Sequence, residues 1–197
     1  MKIYNFQQNT PEWYKVRLGK LTASRAQAIG NYGKGLETLC WEKVAEIITG
    51  KLPEQIETED MKRGHELENE ARGLYSLETG NIVEQVGFVE YTPYSGVSPD
   101  GLVGKDGLIE IKCKNDINHL KLLARQEPES GYMWQMQMQM LVTGRKWCDF
   151  VSYNPNYDKK PIIIIRTKID RTMQKQLKQG IEVGTRRIKE ILQEIEK

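Results

Sequence analysis

The chain has 197 residues, 39% of them hydrophobic and 28% charged, with a formal net charge of +2 at pH 7. That balance is too apolar for a disordered chain, yet no apolar run approaches the ~18 residues that a membrane span needs, so one globular domain over residues 1–197 is expected. The opening Met1-Lys-Ile-Tyr-Asn-Phe-Gln-Gln lacks an apolar stretch long enough for a signal peptide, which makes a cytoplasmic protein the expectation.

In chain order, Thr22-Ala-Ser-Arg-Ala-Gln-Ala-Ile predicts a short helix capped by Thr22 or Ser24 and closed by Gly30. Leu36, Leu39, Cys40, Val44, Ile47 and Ile48 recur at helical spacing up to Gly50. A polar link with Pro53 covers residues 51–60, and a second helix runs from Met61 to about Leu77. The periodicity then shortens. Residues 82–91 read as a strand, and residues 97–103 and 108–112 as two more around the hairpin signal Gly104-Lys-Asp-Gly. Residues 131–142 look helical, residues 147–154 and 161–168 are strands, and a last helix spans about 171–195, with Gly180 or Gly184 as the place for an interruption. This order predicts an α/β fold: a central mixed β-sheet flanked by helices.

Cys40, Cys113 and Cys148 lie far apart, with no CxxC pair, which excludes a zinc ribbon or a cysteine-ligated iron–sulfur cluster. Cys113 and Cys148 fall in apolar strands and read as core residues. His65 and His119 are the only histidines, too few for a multi-histidine metal site. Eight cations from Arg166 to Lys189 stand against Asp170 and Glu182. Such a cluster could attract a polyanion, but a solvated helix face explains it more simply.

The chemistry concentrates in Ser98-Pro-Asp100-Gly and Leu108-Ile-Glu110-Ile-Lys112. Glu110 and Lys112 are two apart on one strand and therefore share a face. Pairing across the hairpin could bring Asp100 beside Glu110. Two carboxylates ~4 Å apart repel by about 4 kcal/mol at an effective dielectric of about 20, so the pair needs a proton, a cation or distance. Oxygen ligands without histidine or cysteine favour Mg²⁺ or Mn²⁺. An ion held there could polarise a phosphodiester, with Lys112 orienting the attacking water. An edge strand with an exposed Glu–Lys face would explain the five residues 108–112 alone, but less well once Pro-Asp-Gly is set beside them.

Pro99-Asp100…Glu110-Ile111-Lys112 resembles the PD-(D/E)XK nuclease signature. Four further segments narrow the resemblance to the lambda-exonuclease family, the YqaJ-like viral recombinase nucleases. They are Trp13-Tyr-Lys-Val-Arg17 through Ser24, Arg63-Gly-His-Glu-Leu-Glu68-Asn-Glu-Ala-Arg72, Ser98-Pro-Asp-Gly-Leu and Tyr132-Met-Trp-Gln135-Met-Gln137. Each block is weak alone; the ordered set is specific. The resemblance implies a restriction-endonuclease-like core and a Mg²⁺-dependent 5′→3′ exonuclease that leaves 3′ overhangs on linear duplex DNA. It implies that Asp100, Glu110, the Ile111 carbonyl and Glu68 ligate metal, in all two ions, with Mn²⁺ an alternative to Mg²⁺. Lys112 would serve the attacking water and Gln135 would complete the site. Helical spacing puts Gln135 and Gln139 on one side and Gln137 on another.

Arg17 and Ser24 match the block that receives a 5′-terminal phosphate, and Ser98 would add a hydroxyl to that pocket. A guanidinium fork suits phosphate, and a hydroxyl at a helix N-terminus sits where anions are favoured. The simpler roles are N-capping for Ser24, an ion pair with Glu12 for Arg17, and core packing for Trp13. The resemblance further implies a homotrimer around DNA, a preference for 5′-phosphorylated ends, and a single-strand annealing protein as partner. Two rivals remain: a sequence- or structure-specific endonuclease on the same core, and a non-catalytic DNA-binding module.

Overall fold

A computed structural model of the chain describes residues 1–52 and 58–197. Much of the polar link expected over 51–60 therefore lies outside the described residues. Among the described residues the strands form two sheets. The expected central mixed sheet is five-stranded, in the order β3 (Val83–Glu84), β6 (Gly101–Val103), β7 (Gly107–Lys112), β8 (Trp147–Tyr153), β9 (Ile162–Lys168). A second sheet pairs β1 (Lys2–Tyr4), β4 (Phe88–Thr92), β5 (Ser95–Val97) and β2 (Leu21–Thr22).

The single strand expected over 82–91 is thus two strands in different sheets. Its break contains Gly87, where an added Cβ would lie 2.2 Å from the Phe6 carbonyl oxygen, so the N-terminal loop packs directly on this segment. Residues 97–103 also divide between the sheets. Pro99 has no N–H to give to a ladder, and the chain leaves one sheet at Ser98 and enters the other at Gly101.

Helices enclose the five-stranded sheet. On one face α4 (Glu59–Thr79) lays Ala71 and Tyr75 against Ile109, Ile111, Val151 and Tyr153. On the other, Leu108, Cys148 and Phe150 join the main core with α6 (Ser130–Thr143), α2 (Ala26–Asn31), α3 (Lys34–Thr49) and α7 (Arg171–Ile195). The parallel pairing of β7 with β8 requires a crossover, and α5 (Asp116–Arg125) and α6 supply it. Neither β1, α5 nor α1 (Pro11–Arg17) was expected from periodicity. Both helices begin on side-chain caps: Thr10 accepts from the Trp13 N–H ahead of Pro11, and Asn115 accepts from the Asn118 N–H.

The short helix expected after Thr22 is instead a 3-10 turn, Ala23–Arg25, followed by α2, which ends on Tyr32 in the left-handed region rather than at Gly30. No helix among the described residues is long and apolar enough to cross a membrane.

Helix α7 runs without interruption, and its two glycines have a packing reason. A Cβ on Gly180 would lie 1.8 Å from the Ile29 carbonyl oxygen, and one on Gly184 would lie 2.8 Å from the Leu21 side chain. Several of the basic residues around this helix are already paired. Arg166 grips Asp149 with two bonds of 2.8 Å, and Arg187 reaches both Glu37 and Glu194 at 3.1 Å. At Arg166 of β9 and Arg187 of α7 the positive charge is thus met by carboxylates within the chain.

Because the atom that Gly180 faces is backbone, no rotamer change can relieve a larger side chain there. Gly180→Ala is expected to destabilise the protein by about 1–3 kcal/mol, measured by urea unfolding. Gly64→Ala on α4, where an added Cβ meets nothing within 4 Å, serves as the control and should lose no stability.

Candidate active site

The β6–β7 hairpin pairs Gly101 with Ile109. This register places Asp100, the residue before β6, alongside Glu110 and Ile111, as the sequence suggested. Its Oδ2 accepts the Ile111 N–H at 2.6 Å. The loop leading into it is pinned by Gln8, whose amide donates to the Pro99 carbonyl at 2.9 Å and to the Val86 carbonyl at 3.1 Å.

Glu110 is 0% exposed. Gln135 donates to its Oε1 at 2.6 Å and Gln139 to its Oε2 at 2.7 Å. The Lys112 ammonium lies 2.5 Å from Oε1. Gln137 faces the other way, donating to the Lys168 carbonyl and accepting from the Asp170 N–H. The expected division of the three glutamines therefore holds, but Gln139 joins Gln135 at Glu110. Its position four residues on was the signal for it. The apolar Met136-Gln-Met-Gln-Met140 run concealed it as a core residue.

The electrostatics follow from burial. Burial pushes the Asp100 carboxyl well above the usual range; Glu110 and Glu68 push in the same direction, and Lys112 opposes them. Burial works against the Lys112 ammonium as well, but Glu110 and Asp100 outweigh it and hold its pKa above the ordinary lysine value. The ring of Tyr132 lies beside this ammonium at 5.5 Å and beside that of Lys114 at 4.6 Å.

A cavity of about 530 Å³ opens over these groups, lined by Glu68, Asp100, Ile111, Lys112 and Gln135, with Glu110 buried beneath. Arg17, Ser24 and Ser98 line the same cavity. Trp13 also lines it and is only half-buried, so it belongs to the cavity wall and not to the core. Its indole N–H donates to Ser98 Oγ at 2.9 Å and to the Gly87 carbonyl at 3.1 Å. The Arg17 guanidinium stacks on the Trp13 ring at 4.0 Å and donates to Ser98 Oγ at 3.2 Å, in place of the suggested pair with Glu12. Burial lowers the Arg17 pKa to about 10.

Ser24 is not a helix cap. It sits inside the 3-10 turn, exposed, with its hydroxyl 3.3 Å from that of Thr22. Cys113 follows β7 and is half-buried at the cavity edge, whereas Cys148 is in the core as expected. His119 is a satisfied core histidine, bonded to Ser152 and to the Lys160 carbonyl.

The donor set is hard. Asp100 and Glu110 supply carboxylates, and burial makes the ionised form of Asp100 costly without a cation. Among the described residues no three of His, Cys, Asp and Glu gather closely enough to hold an ion alone. An ion resting here would draw also on a main-chain carbonyl and water, which suits Mg²⁺.

The raised Asp100 carboxyl has a testable consequence. The folded protein holds a proton on Asp100 at pH values where the unfolded chain has lost it. Ionised Asp100 therefore costs stability as pH rises from the unfolded carboxyl value through the folded one. In a chelating buffer, Asp100→Asn is expected to raise the Tm at pH 7.5, and the gain should vanish below about pH 3.8, the ordinary carboxyl value. Melting curves of both proteins across pH check this.

A family model for the YqaJ-like viral recombinase domain matches residues 12–146. No curated protein matches the chain. Among solved structures, the alkaline exonuclease LHK-Exo from Laribacter hongkongensis superposes with a TM-score of 0.89 at 35% identity, covering 95% of this chain and 96% of that one. LHK-Exo in complex with dAMP gives a TM-score of 0.88 at 36% identity, with 94% and 96% covered. A phage-related exonuclease from Haemophilus somnus 129PT shares the fold, with a TM-score of 0.70 at 16% identity over 89% and 96% of the two chains. With a match over more than two thirds of its length and a relative of this similarity along nearly all of it, the chain is a member of the YqaJ-like viral recombinase family.

Proposed function

We propose that the protein is a Mg²⁺-dependent exonuclease that digests the 5′ strand of linear duplex DNA and leaves 3′ overhangs. One observation carries the reading: a single cavity joins Asp100 and Lys112, with Glu110 buried beneath them, to Arg17 and Ser98. Chemistry on a phosphodiester and recognition of a terminal phosphate need such neighbours. The alkaline exonuclease LHK-Exo, at 35% identity over almost the full length, supports the reaction class.

Asp100, Glu110 and the Ile111 carbonyl are the residues to hold the metal, with Glu68 approaching from α4; a second ion is part of the same reading. Bound Mg²⁺ would polarise the scissile phosphate and lower the pKa of a water. Gln135 and Gln139 fix both oxygens of Glu110, so that carboxylate needs no reorganisation during the reaction. Lys112 holds its proton at neutral pH and orients the attacking water by donating to it, or balances charge on the phosphate. Arg17 suits a terminal phosphate because the groups it touches, the Ser98 hydroxyl and the Trp13 ring, are neutral, and Glu46 acts on it only through its field. Its positive charge is left for an anion, and the fork is already aimed. Ser24 and Ser98 add hydroxyls around that anion. The family likeness extends the reading to a homotrimer encircling DNA and to a single-strand annealing protein that receives the exposed 3′ strand.

The test is a time course on linear duplex labelled at one 5′ end, with and without the terminal phosphate, beside closed circular duplex. Labelled mononucleotide should appear first from the phosphorylated end, and circles should survive; cutting of circles would replace this reading with an endonuclease. Asp100→Ala and Lys112→Ala should lower digestion by at least a thousandfold while remaining folded. Arg17→Ala should lower the rate ratio of phosphorylated to hydroxyl ends by about tenfold, the scale of one lost charged hydrogen bond. An unchanged ratio removes Arg17 from the phosphate pocket.

A further inference from the structure

Arg72, on α4, stands behind the site just described. It is 9% exposed. Its Nε donates to the Asp100 carbonyl at 3.3 Å, its Nη1 to Asn69 Oδ1 at 2.7 Å, and its Nη2 to Glu68 Oε1. One planar group therefore ties the helix acid to the loop acid, which lie 32 positions apart in the sequence.

A second cavity, of about 390 Å³, lies against the first and shares Glu68 and Asp100 with it. Arg72 lines this second cavity and not the one that carries Lys112, Arg17 and Ser98. It meets Glu68 through the side chain and Asp100 through the backbone carbonyl, from a cavity wall that does not include Lys112, Arg17 or Ser98.

We infer that Arg72 is a positioning residue that sets Glu68 and the Asp100 loop in the geometry that receives a divalent cation. The inference rests on the metal-dependent reading and adds to it a residue that acts through Glu68 and the Asp100 backbone. Glu68 is on a helix surface and half-buried; a long flexible carboxylate there would otherwise sample solvent. Holding one of its oxygens on a guanidinium restricts it. The same guanidinium anchors the backbone on which Asp100 is carried. The fork geometry is needed, because a lysine ammonium presents a point charge and cannot meet both acceptors in one plane.

Charge and geometry can be separated experimentally. Arg72→Lys keeps the positive charge and loses the fork. Mn²⁺ binding is measured by calorimetry on the folded wild type, Arg72→Lys, Glu68→Gln and the double variant, with kcat and KM on linear duplex alongside. Arg72→Lys is expected to weaken Mn²⁺ binding at least about tenfold, the usual scale for a residue that orients a ligand, and to lower kcat with KM for DNA unchanged. Glu68→Gln should weaken binding similarly, and Arg72→Lys should then add less than about threefold in that background.

Mn²⁺ affinity of Arg72→Lys within twofold of wild type overturns the proposal and leaves the nuclease reading intact. So does an undiminished effect of Arg72→Lys in the Glu68→Gln background. Glu68→Gln binding Mn²⁺ as tightly as wild type overturns it as well, even where Arg72→Lys fails to fold. Wild type that binds no Mn²⁺ overturns both the proposal and the metal-dependent reading on which it stands.

Discussion

Everything at this site follows from placing two carboxylates next to each other, Glu110 out of water and Asp100 half-buried at the cavity wall. Desolvation raises the cost of the negative charge on Asp100, and Glu110 raises it further. The fold answers with donors. Glu110 receives two amides and an ammonium, and Asp100 receives a main-chain N–H. Two donors into the carboxylates come from β7 itself, the Ile111 N–H and the Lys112 ammonium, and the glutamines come from α6. Neutralisation is incomplete at Asp100, whose carboxyl stays raised. A proton or a cation meets that residual cost.

Meeting that demand dictates topology. A hairpin alone could bring Asp100 to Glu110, but the glutamines must approach from above the sheet. The parallel pairing of β7 with β8 forces a crossover, and α6 in that crossover lies over the face where Glu110 points. The opposite face of β7, with Ile109 and Ile111, is sealed by Ala71 and Tyr75 of α4. Because α4 is anchored by that apolar contact, Glu68 and Arg72 on the same helix arrive at the strand's end. Core packing and site assembly are thus one event: the Ile–Glu–Ile–Lys alternation serves both.

Much of this was legible in the sequence, and what was not has a physical reason. Period-two alternation at Glu110 and Lys112 and the hairpin turn at Gly104 fixed the shared face and the proximity of Asp100, because strand geometry is local. Helical spacing separated Gln137 from Gln135 and Gln139. Other features depend on distant chain. The strand over 82–91 reads as continuous until Phe6 packs against Gly87, and the glycines of α7 look like interruptions until Ile29 and Leu21 occupy the space beside them. Trp13 reads as a core residue by its composition; only its bond to Ser98, 85 positions away, puts it in the cavity wall. Helical spacing sets Arg72 beside Glu68, but its hold on the Asp100 carbonyl joins elements distant in sequence and left no local signal.

The segment Ser98-Pro99-Asp100 links the proposed end-recognition group to the proposed metal site. Ser98 holds Arg17 and Trp13 through its hydroxyl, while Asp100, two residues on, enters the acidic group. An extended chain carries two residues about 7 Å, so the proposed phosphate grip and the proposed metal site are separated by a fixed and short stretch of backbone. Pro99 stiffens that stretch, and Gln8 clamps its carbonyl. A phosphate held at Ser98 and Arg17 would then place the next linkage at the carboxylates without further adjustment. On the proposed function, preference for an end would be a property of chain spacing, set by the strand-to-strand loop rather than by any base contact.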